Sequence, residues 1–130
     1  MLIWQDSGEV QVMQVGVFDF EGALKRLGGD RELFREIVLF FFEDSPGLLN
    51  KLRCGLRDQN PSVVERSAHA LKGMAANFDA HRAVEAALHV ETLGASGDLT
   101  KAPVAIEGLE EEINILKIAL TPYLNPGHPE

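Results

Sequence analysis

The sequence predicts an all-α protein, an antiparallel four-helix bundle with a short extra N-terminal helix. Apolar residues recur at intervals of three and four over four long stretches of the chain, and short turns rich in Gly, Pro, Asn and Asp separate those stretches. No strand–turn–helix pattern with a glycine-rich phosphate loop occurs, so there is no sign of a nucleotide site. Helices joined by such short turns lie antiparallel beside their neighbours.

The chain divides into three parts. Residues 1–16 show only a weak alternation of valines and are expected to form an extended or disordered lead, residues 17–124 to form the bundle, and residues 125–130 to form a loose tail. The first helix of the bundle is expected to be short. Asp19 can cap its start, and the two glycines after Leu27 can end it because glycine readily adopts a positive φ.

The second helix is expected to be the longest, from Arg31 to about Asp58. Its apolar residues keep helical spacing through Pro46 without a change of phase, which favours one helix, kinked or loosened near the proline, over two separate helices. Three consecutive aromatic residues cannot all face one core. These residues are Phe40, Phe41 and Phe42. At least one of them is therefore expected at the surface, where it is either partly covered by the lead or by the short helix, or is available for docking.

The third helix is expected to begin at Asn60, whose side-chain oxygen can cap the first free N–H groups, with Pro61 fitting the first turn. At roughly 100° per residue, His69 points roughly 160° away from Leu71. It therefore lies on the polar face of this helix, opposite an apolar stripe that consists of Val64, Ala68, Leu71, Ala75 and Phe78.

Two more helices complete the bundle. Asp79 is expected to cap a fourth helix from Ala80 to about Leu93, which a turn over residues 94–97 follows. The fifth helix is expected to begin near residues 98–100. Its apolar residues recur at alternating intervals of three and four, and a turn with a proline ends it.

Composition excludes several classes of function. A chain of 130 residues fits one domain, and its net charge of −8 without a basic run argues against nonspecific binding to nucleic acid or to an anionic membrane. The single Cys54 cannot form an internal disulfide, which fits a reducing compartment. The start lacks the features of a secretory leader, and the longest apolar run is too short to span a bilayer, so we expect a cytoplasmic protein.

Chemistry is expected on the polar face around His69. Gly73 lies on the same side of the helix, although a glycine inside a helix costs about 1 kcal/mol relative to alanine. Its missing side chain leaves room for a group attached to the ring, and Lys72, three residues after the histidine, places an ammonium near such a group. An exposed histidine with a nearby cation and a cleared space suggests a nucleophile that carries a phosphoryl group.

The motif H-A-L-K-G at residues 69–73, followed by M-A-A-N-F-D-A and by Val90-Glu91, resembles a histidine-containing phosphotransfer (HPt) domain. Stretches before the motif, at residues 23–33 and 42–46, are also similar to the family, so the resemblance covers roughly residues 17–121. The family usually has glycine where this chain has Asp79, and it often has serine where Met74 and Ala75 stand.

The resemblance implies a phosphoryl carrier rather than an enzyme. In such a carrier His69 accepts a phosphoryl group from an aspartate of a receiver domain and passes it to another receiver. Glu91 would orient the ring by accepting the Nδ1 proton, and a docking face would surround the histidine at Ser62, Arg66 and Ala76. The implied partners are response-regulator receiver domains and a histidine kinase or hybrid kinase. No cofactor is expected on this chain, and Mg²⁺ is expected on the partner receiver domain.

Two alternatives remain open. The chain can be the phosphoacceptor domain of a hybrid or chemotaxis-type histidine kinase, which an ATP-binding domain would phosphorylate. In a different class, it can be a helical metal-binding or interaction module, since His81, Glu85 and His89 share one side of a helix. That site would need further ligands, and no Glu-x-x-His pattern recurs on another helix, so we predict no metal site.

Overall fold

The computed structural model describes residues 17–125, and the expectations for the lead over 1–16 and for the tail beyond Asn125 lie outside them. Within this range the chain is all-helical, which confirms the predicted fold class of a four-helix bundle preceded by a short helix. The elements in chain order are α1 (Phe20–Arg26), α2 (Arg31–Arg57), α3 (Pro61–Ala76), α4 (His81–Ser96), α5 (Ala102–Leu120) and a 3₁₀ turn (Thr121–Leu124).

The first three helices begin where side-chain caps are available. In each case the side-chain oxygen of the capping residue accepts a hydrogen bond from the backbone N–H three residues later, which satisfies a donor that has no partner within the helix. The capping residues are Asp19, Asp30 and Asn60, with N–H to oxygen distances of 3.0, 3.0 and 3.3 Å. Between α1 and α2, Gly28 and Gly29 have φ values of 71° and 79°, as expected for a glycine stop.

The helix α2 is continuous over 27 residues and contains Pro46, which confirms one helix rather than two. Of the three consecutive aromatic residues, Phe41 is 1% exposed, Phe42 packs beneath the ammonium of Lys117, and Phe40 is 60% exposed. The prediction that at least one reaches the surface is therefore confirmed. Neither α2 nor any other helix within residues 17–125 has the length and apolar character needed to cross a membrane.

Packing against the core fixes the rotation of helix α3 about its own axis. The predicted apolar stripe is completely buried and forms part of the central core: Val64, Ala68, Leu71, Ala75 and Phe78. Because these residues all point inwards, the opposite side of the helix must face outwards. This orientation places the side chain of His69 on the surface.

The expectation that Asp79 caps α4 is wrong. The helix begins after Ala80 without a side-chain cap, and Asp79 has a left-handed φ of 53°. In this conformation its carboxylate accepts a hydrogen bond of 2.7 Å from Arg26 of α1 instead of reaching the free N–H groups of α4. Glycine adopts such a φ without steric cost. This explains why the HPt family, which the sequence resembles, usually has glycine at the position of Asp79.

The boundary between α4 and α5 also differs from the sequence-based expectation. The fourth helix continues to Ser96, so Gly94 lies inside the helix, and Gly97 with a φ of 83° forms the actual stop. The fifth helix begins at Ala102 because Asp98 instead organises the preceding turn, where its carboxylate accepts hydrogen bonds from the N–H and hydroxyl groups of Thr100.

Candidate functional site

The imidazole of His69 is anchored through one of its two nitrogens. Its side chain is 68% exposed on the outer face of α3, and its Nδ1 atom lies 2.8 Å from Oε2 of Glu91 on α4. No residue of the described range 17–125 forms a hydrogen bond with Nε2. The ring is thus held in one orientation with Nε2 directed to solvent.

Glu91 connects His69 with Lys72. Its side chain is 18% exposed, and its second oxygen, Oε1, lies 2.8 Å from Nζ of Lys72. The contact between Lys72 and Oε1 is an ion pair, and its angles do not meet the requirements of a hydrogen bond. The Lys72 ammonium, together with the weaker effect of His69, holds the pKa of Glu91 below its usual value, although partial burial acts in the opposite direction.

The charge on Glu91 determines the tautomer of the histidine. A carboxylate accepts hydrogen bonds and donates none, so a neutral ring beside it must carry its proton on Nδ1. The lone pair of the ring then resides on Nε2, the exposed nitrogen. The arrangement provides an oriented nitrogen nucleophile at the surface of the bundle.

Gly73 adjoins open space. It is exposed in the interior of α3, and a Cβ added to it would meet no atom within 4 Å apart from its immediate helical surroundings. Packing within residues 17–125 therefore does not require a glycine at this position. The space lies one helical turn after His69, on the same outer face.

The predicted docking residues share one exposed face of α3. Ser62, Arg66 and Ala76 are exposed together with His69, and the guanidinium of Arg66 donates a hydrogen bond of 2.7 Å to the Ser62 hydroxyl. At the far end of this face, the carbonyl of Ala76 accepts a hydrogen bond of 2.8 Å from Arg26. No pattern in the sequence indicates this contact of Arg26, because only the fold brings α1 to the end of α3.

A groove beside this face was also not identified from the sequence. It encloses about 390 Å³ between α2 and α3, and Leu48, Lys51, Val63, Arg66 and Ser67 line it. Leu48 and Lys51 are three residues apart, and this spacing predicts that they share one side of α2. The spacing within α2 does not predict which residues of α3 lie opposite them.

The candidate metal-binding stripe on α4 does not form a metal site in the structure. His81 and Glu85, with Arg82, line a shallow hollow of about 320 Å³ that does not include His89. Across residues 17–125, no three His, Cys, Asp or Glu side chains are grouped so that they could hold a metal ion. No geometry in this part of the chain therefore favours the metal-binding alternative.

The Glu91 carboxylate is expected to contribute stability that is lost in acid. Because its pKa is lowered from the value of about 4.3 typical of an unfolded chain, its contribution is complete above that pH and disappears as the pH falls through the lowered pKa. Urea unfolding of wild type and Glu91→Gln between about pH 7 and pH 3 tests this expectation. The difference in unfolding free energy should be fully present above about pH 4.3 and should shrink as the pH falls further.

The matched control for the loss of one negative charge is Glu85→Gln, at an exposed position of the same helix. A difference between wild type and Glu91→Gln that stays constant over the whole pH series would contradict the expected role of the carboxylate.

Comparisons with known proteins agree with this fold. A family model described as the Hpt domain matches residues 36–119. The crystal structure of histidine-containing phosphotransfer protein B (HptB) from Pseudomonas aeruginosa PAO1 superposes with a TM-score of 0.74 at 23% identity, covering 81% of this chain and 91% of that one. No curated protein matches the chain. The structural likeness supports the shared helical fold.

Proposed function

The chain belongs to the Hpt domain family, and from this premise we propose that it is a phosphorelay carrier rather than an enzyme. In this role His69 takes a phosphoryl group from an aspartate of one receiver domain and yields it to an aspartate of another. The observation that carries the proposal is the anchored, outward-facing ring, whose Nδ1 is engaged by Glu91 while Nε2 has no partner within residues 17–125.

The transfer step follows from this geometry. The lone pair on Nε2 attacks the phosphorus of the aspartyl phosphate, the N–P bond forms, and the P–O bond breaks with its electron pair leaving on the aspartate. The imidazole gains positive charge as the bond forms, and the Glu91 carboxylate beside Nδ1–H, 2.8 Å away, stabilises that charge. The reverse transfer to a second receiver uses the same contacts in the opposite order.

Lys72 and Gly73 are proposed to accommodate the phosphoryl group. The ammonium of Lys72 already lies at the site through its ion pair with Glu91, and it can also neutralise the anionic oxygens of a phosphorylated ring. The open space at Gly73 leaves room for these oxygens. We propose that Mg²⁺ is supplied by the acidic pocket of the receiver domain, as phosphoryl transfer to a carboxylate requires neutralisation of charge on that side.

The partner is proposed to dock on the exposed face of α3. Ser62, Arg66 and Ala76 surround the nucleophile, and the adjoining groove adds an apolar surface with a second cation, Lys51. Docking must bring phosphorus in line with Nε2, so the partner has to approach over the exposed face of α3 that carries His69. Receiver domains, and a histidine kinase or hybrid kinase in the same cytoplasmic system, are the proposed partners.

The proposal is tested by incubating the wild-type protein with a panel of receiver domains that carry labelled phosphate, and separately with a histidine kinase core and ATP. We expect label to reach this chain from at least one receiver and to be stable in alkali but labile in acid, as phosphohistidine is. Label that arrives from the kinase core alone would replace the relay with the role of a kinase phosphoacceptor domain. A folded protein that takes no label from either source would overturn both.

A further inference from the structure

Gly94 is the point of closest approach between α3 and α4. It is buried, and a Cβ added to it would lie 2.6 Å from the backbone nitrogen of Glu65, 2.9 Å from its Cα and 2.9 Å from the carbonyl oxygen of Pro61. All three are backbone atoms within the first five residues of α3, so no change of side-chain rotamer can relieve the contact. A side chain at this position would force the two helices apart by roughly 1 Å to reach van der Waals distance.

This contact lies one helical turn from the candidate site. Glu91 precedes Gly94 by three residues on α4, and His69 follows Glu65 by four residues on α3, so both pairs lie on adjacent turns of the same two helices. The carboxylate of Glu91 crosses between the helices to contact His69 and Lys72 at 2.8 Å each. Both oxygens of the carboxylate are therefore engaged by residues of α3.

We propose that Gly94 is a positioning residue for phosphoryl transfer. By lacking a side chain, it sets the separation of α3 and α4 at which Glu91 reaches Nδ1 of His69 and so places the proton of the neutral ring on Nδ1. The proposal rests on the carrier function proposed above for His69. In this proposal Gly94 does not contact the phosphoryl group. It controls only the distance between α3 and α4 that the Glu91 side chain spans.

Two other glycines provide matched controls. Gly55 is also a buried helical glycine, but a Cβ there would meet side-chain atoms of Val63 and Val64 at 3.0 and 3.1 Å, across the contact between α2 and α3. Gly55→Ala therefore places its steric conflict at the contact between α2 and α3, and none of the three atoms nearest to the added Cβ belongs to α4. Gly108 in α5 has no atom within 4 Å of an added Cβ, so Gly108→Ala reports the effect of helix propensity alone.

The test combines two measurements on folded protein. Nitrogen-15 NMR of the His69 ring reports the fraction of the tautomer with the proton on Nδ1, and phosphoramidate, a small phosphodonor that needs no docking, reports the rate of phosphorylation. We expect Gly94→Ala to lower that tautomer fraction and to slow phosphorylation about tenfold. Gly55→Ala and Gly108→Ala should retain the wild-type tautomer, even where Gly55→Ala lowers the melting temperature.

A double-mutant cycle separates positioning from general loss of structure. In a Glu91→Gln background the carboxylate is already absent, so adding Gly94→Ala should slow phosphorylation little further. Should Gly94→Ala fail to fold, Glu91→Asp tests the same distance in an unaltered backbone, because it shortens the carboxylate's reach by one C–C bond, about 1.5 Å. That variant should reproduce the tautomer shift and the slower rate.

Several outcomes would overturn the role of Gly94. One is a folded Gly94→Ala with wild-type tautomer and rate, another is an equal tautomer shift in Gly55→Ala, and a third is Glu91→Asp with unchanged properties. The failure of the carrier proposal looks different, since wild type itself would then take no label from receiver domains or from a histidine kinase core. The tautomer measurement tests the positioning role in either case.

Discussion

Replacing His69 with glutamine is expected to abolish phosphorylation by both receiver domains and phosphoramidate. The glutamine amide nitrogen has no available lone pair for attack on phosphorus, whereas the imidazole presents Nε2 to solvent with Nδ1 held by Glu91. Because the His69 side chain is 68% exposed and the glutamine amide can still donate a hydrogen bond to Glu91, the free energy of unfolding should change by no more than about 1.5 kcal/mol. Label uptake and urea unfolding of the same preparation measure the two effects.

The matched control is His89→Gln, which removes an exposed histidine from α4 and should leave label uptake at the wild-type rate. If His69→Gln still acquired acid-labile phosphate, another residue would be the acceptor, and mass spectrometric mapping of the label would identify it. The interpretation of the His69, Glu91 and Lys72 contacts as a phosphotransfer site would then have to be abandoned.

Local rules account for the parts of the fold that the sequence predicts. Asp19, Asp30 and Asn60 can be recognised as caps because each interacts with a backbone group only three residues away. The outward direction of His69 follows from the angular spacing of an apolar stripe on one helix. The same spacing places Gly73 on this face, and in the structure a Cβ added to Gly73 would meet no atom within 4 Å apart from its immediate helical surroundings.

Relations between helices were harder to predict, because sequence spacing within a helix does not determine its register against a neighbour. Asp79 resembles an ordinary helix cap, but its left-handed backbone and its hydrogen bond with Arg26 depend on where α1 docks. Gly94 resembles a helix stop in the sequence. Its actual place inside α4 depends on the close backbone approach of α3, which no local pattern records.

Of the two contacts made by Glu91, one could be expected from the sequence and the other could not. The family resemblance implies that a carboxylate at this position meets the histidine ring, while spacing within α4 alone identifies only a polar helical residue. The structure adds that the same carboxylate also pairs with Lys72 at 2.8 Å. Lys72 is therefore coupled to the His69 ring through Glu91.

Replacing Gly73 with leucine is expected to slow transfer from receiver domains by roughly 10²-fold while the helix stays folded. The open space at this position accepts the new side chain without a clash, and leucine favours the helix over glycine by about 1 kcal/mol, so stability should not decrease. Side chains on a helix lean toward its N-terminus and cover the preceding turn. The leucine would therefore lie over His69, where the phosphoryl group and the partner must approach.

Circular dichroism and the rate of label transfer measure the two effects, with Gly108→Leu as the control because it makes the same substitution at an open, exposed position of α5. Gly73→Ala should fall between wild type and Gly73→Leu, since a methyl group fills less of the space. Transfer at the wild-type rate in a fully helical Gly73→Leu would show that the space is not needed. The glycine would then require another explanation, because packing within residues 17–125 supplies none.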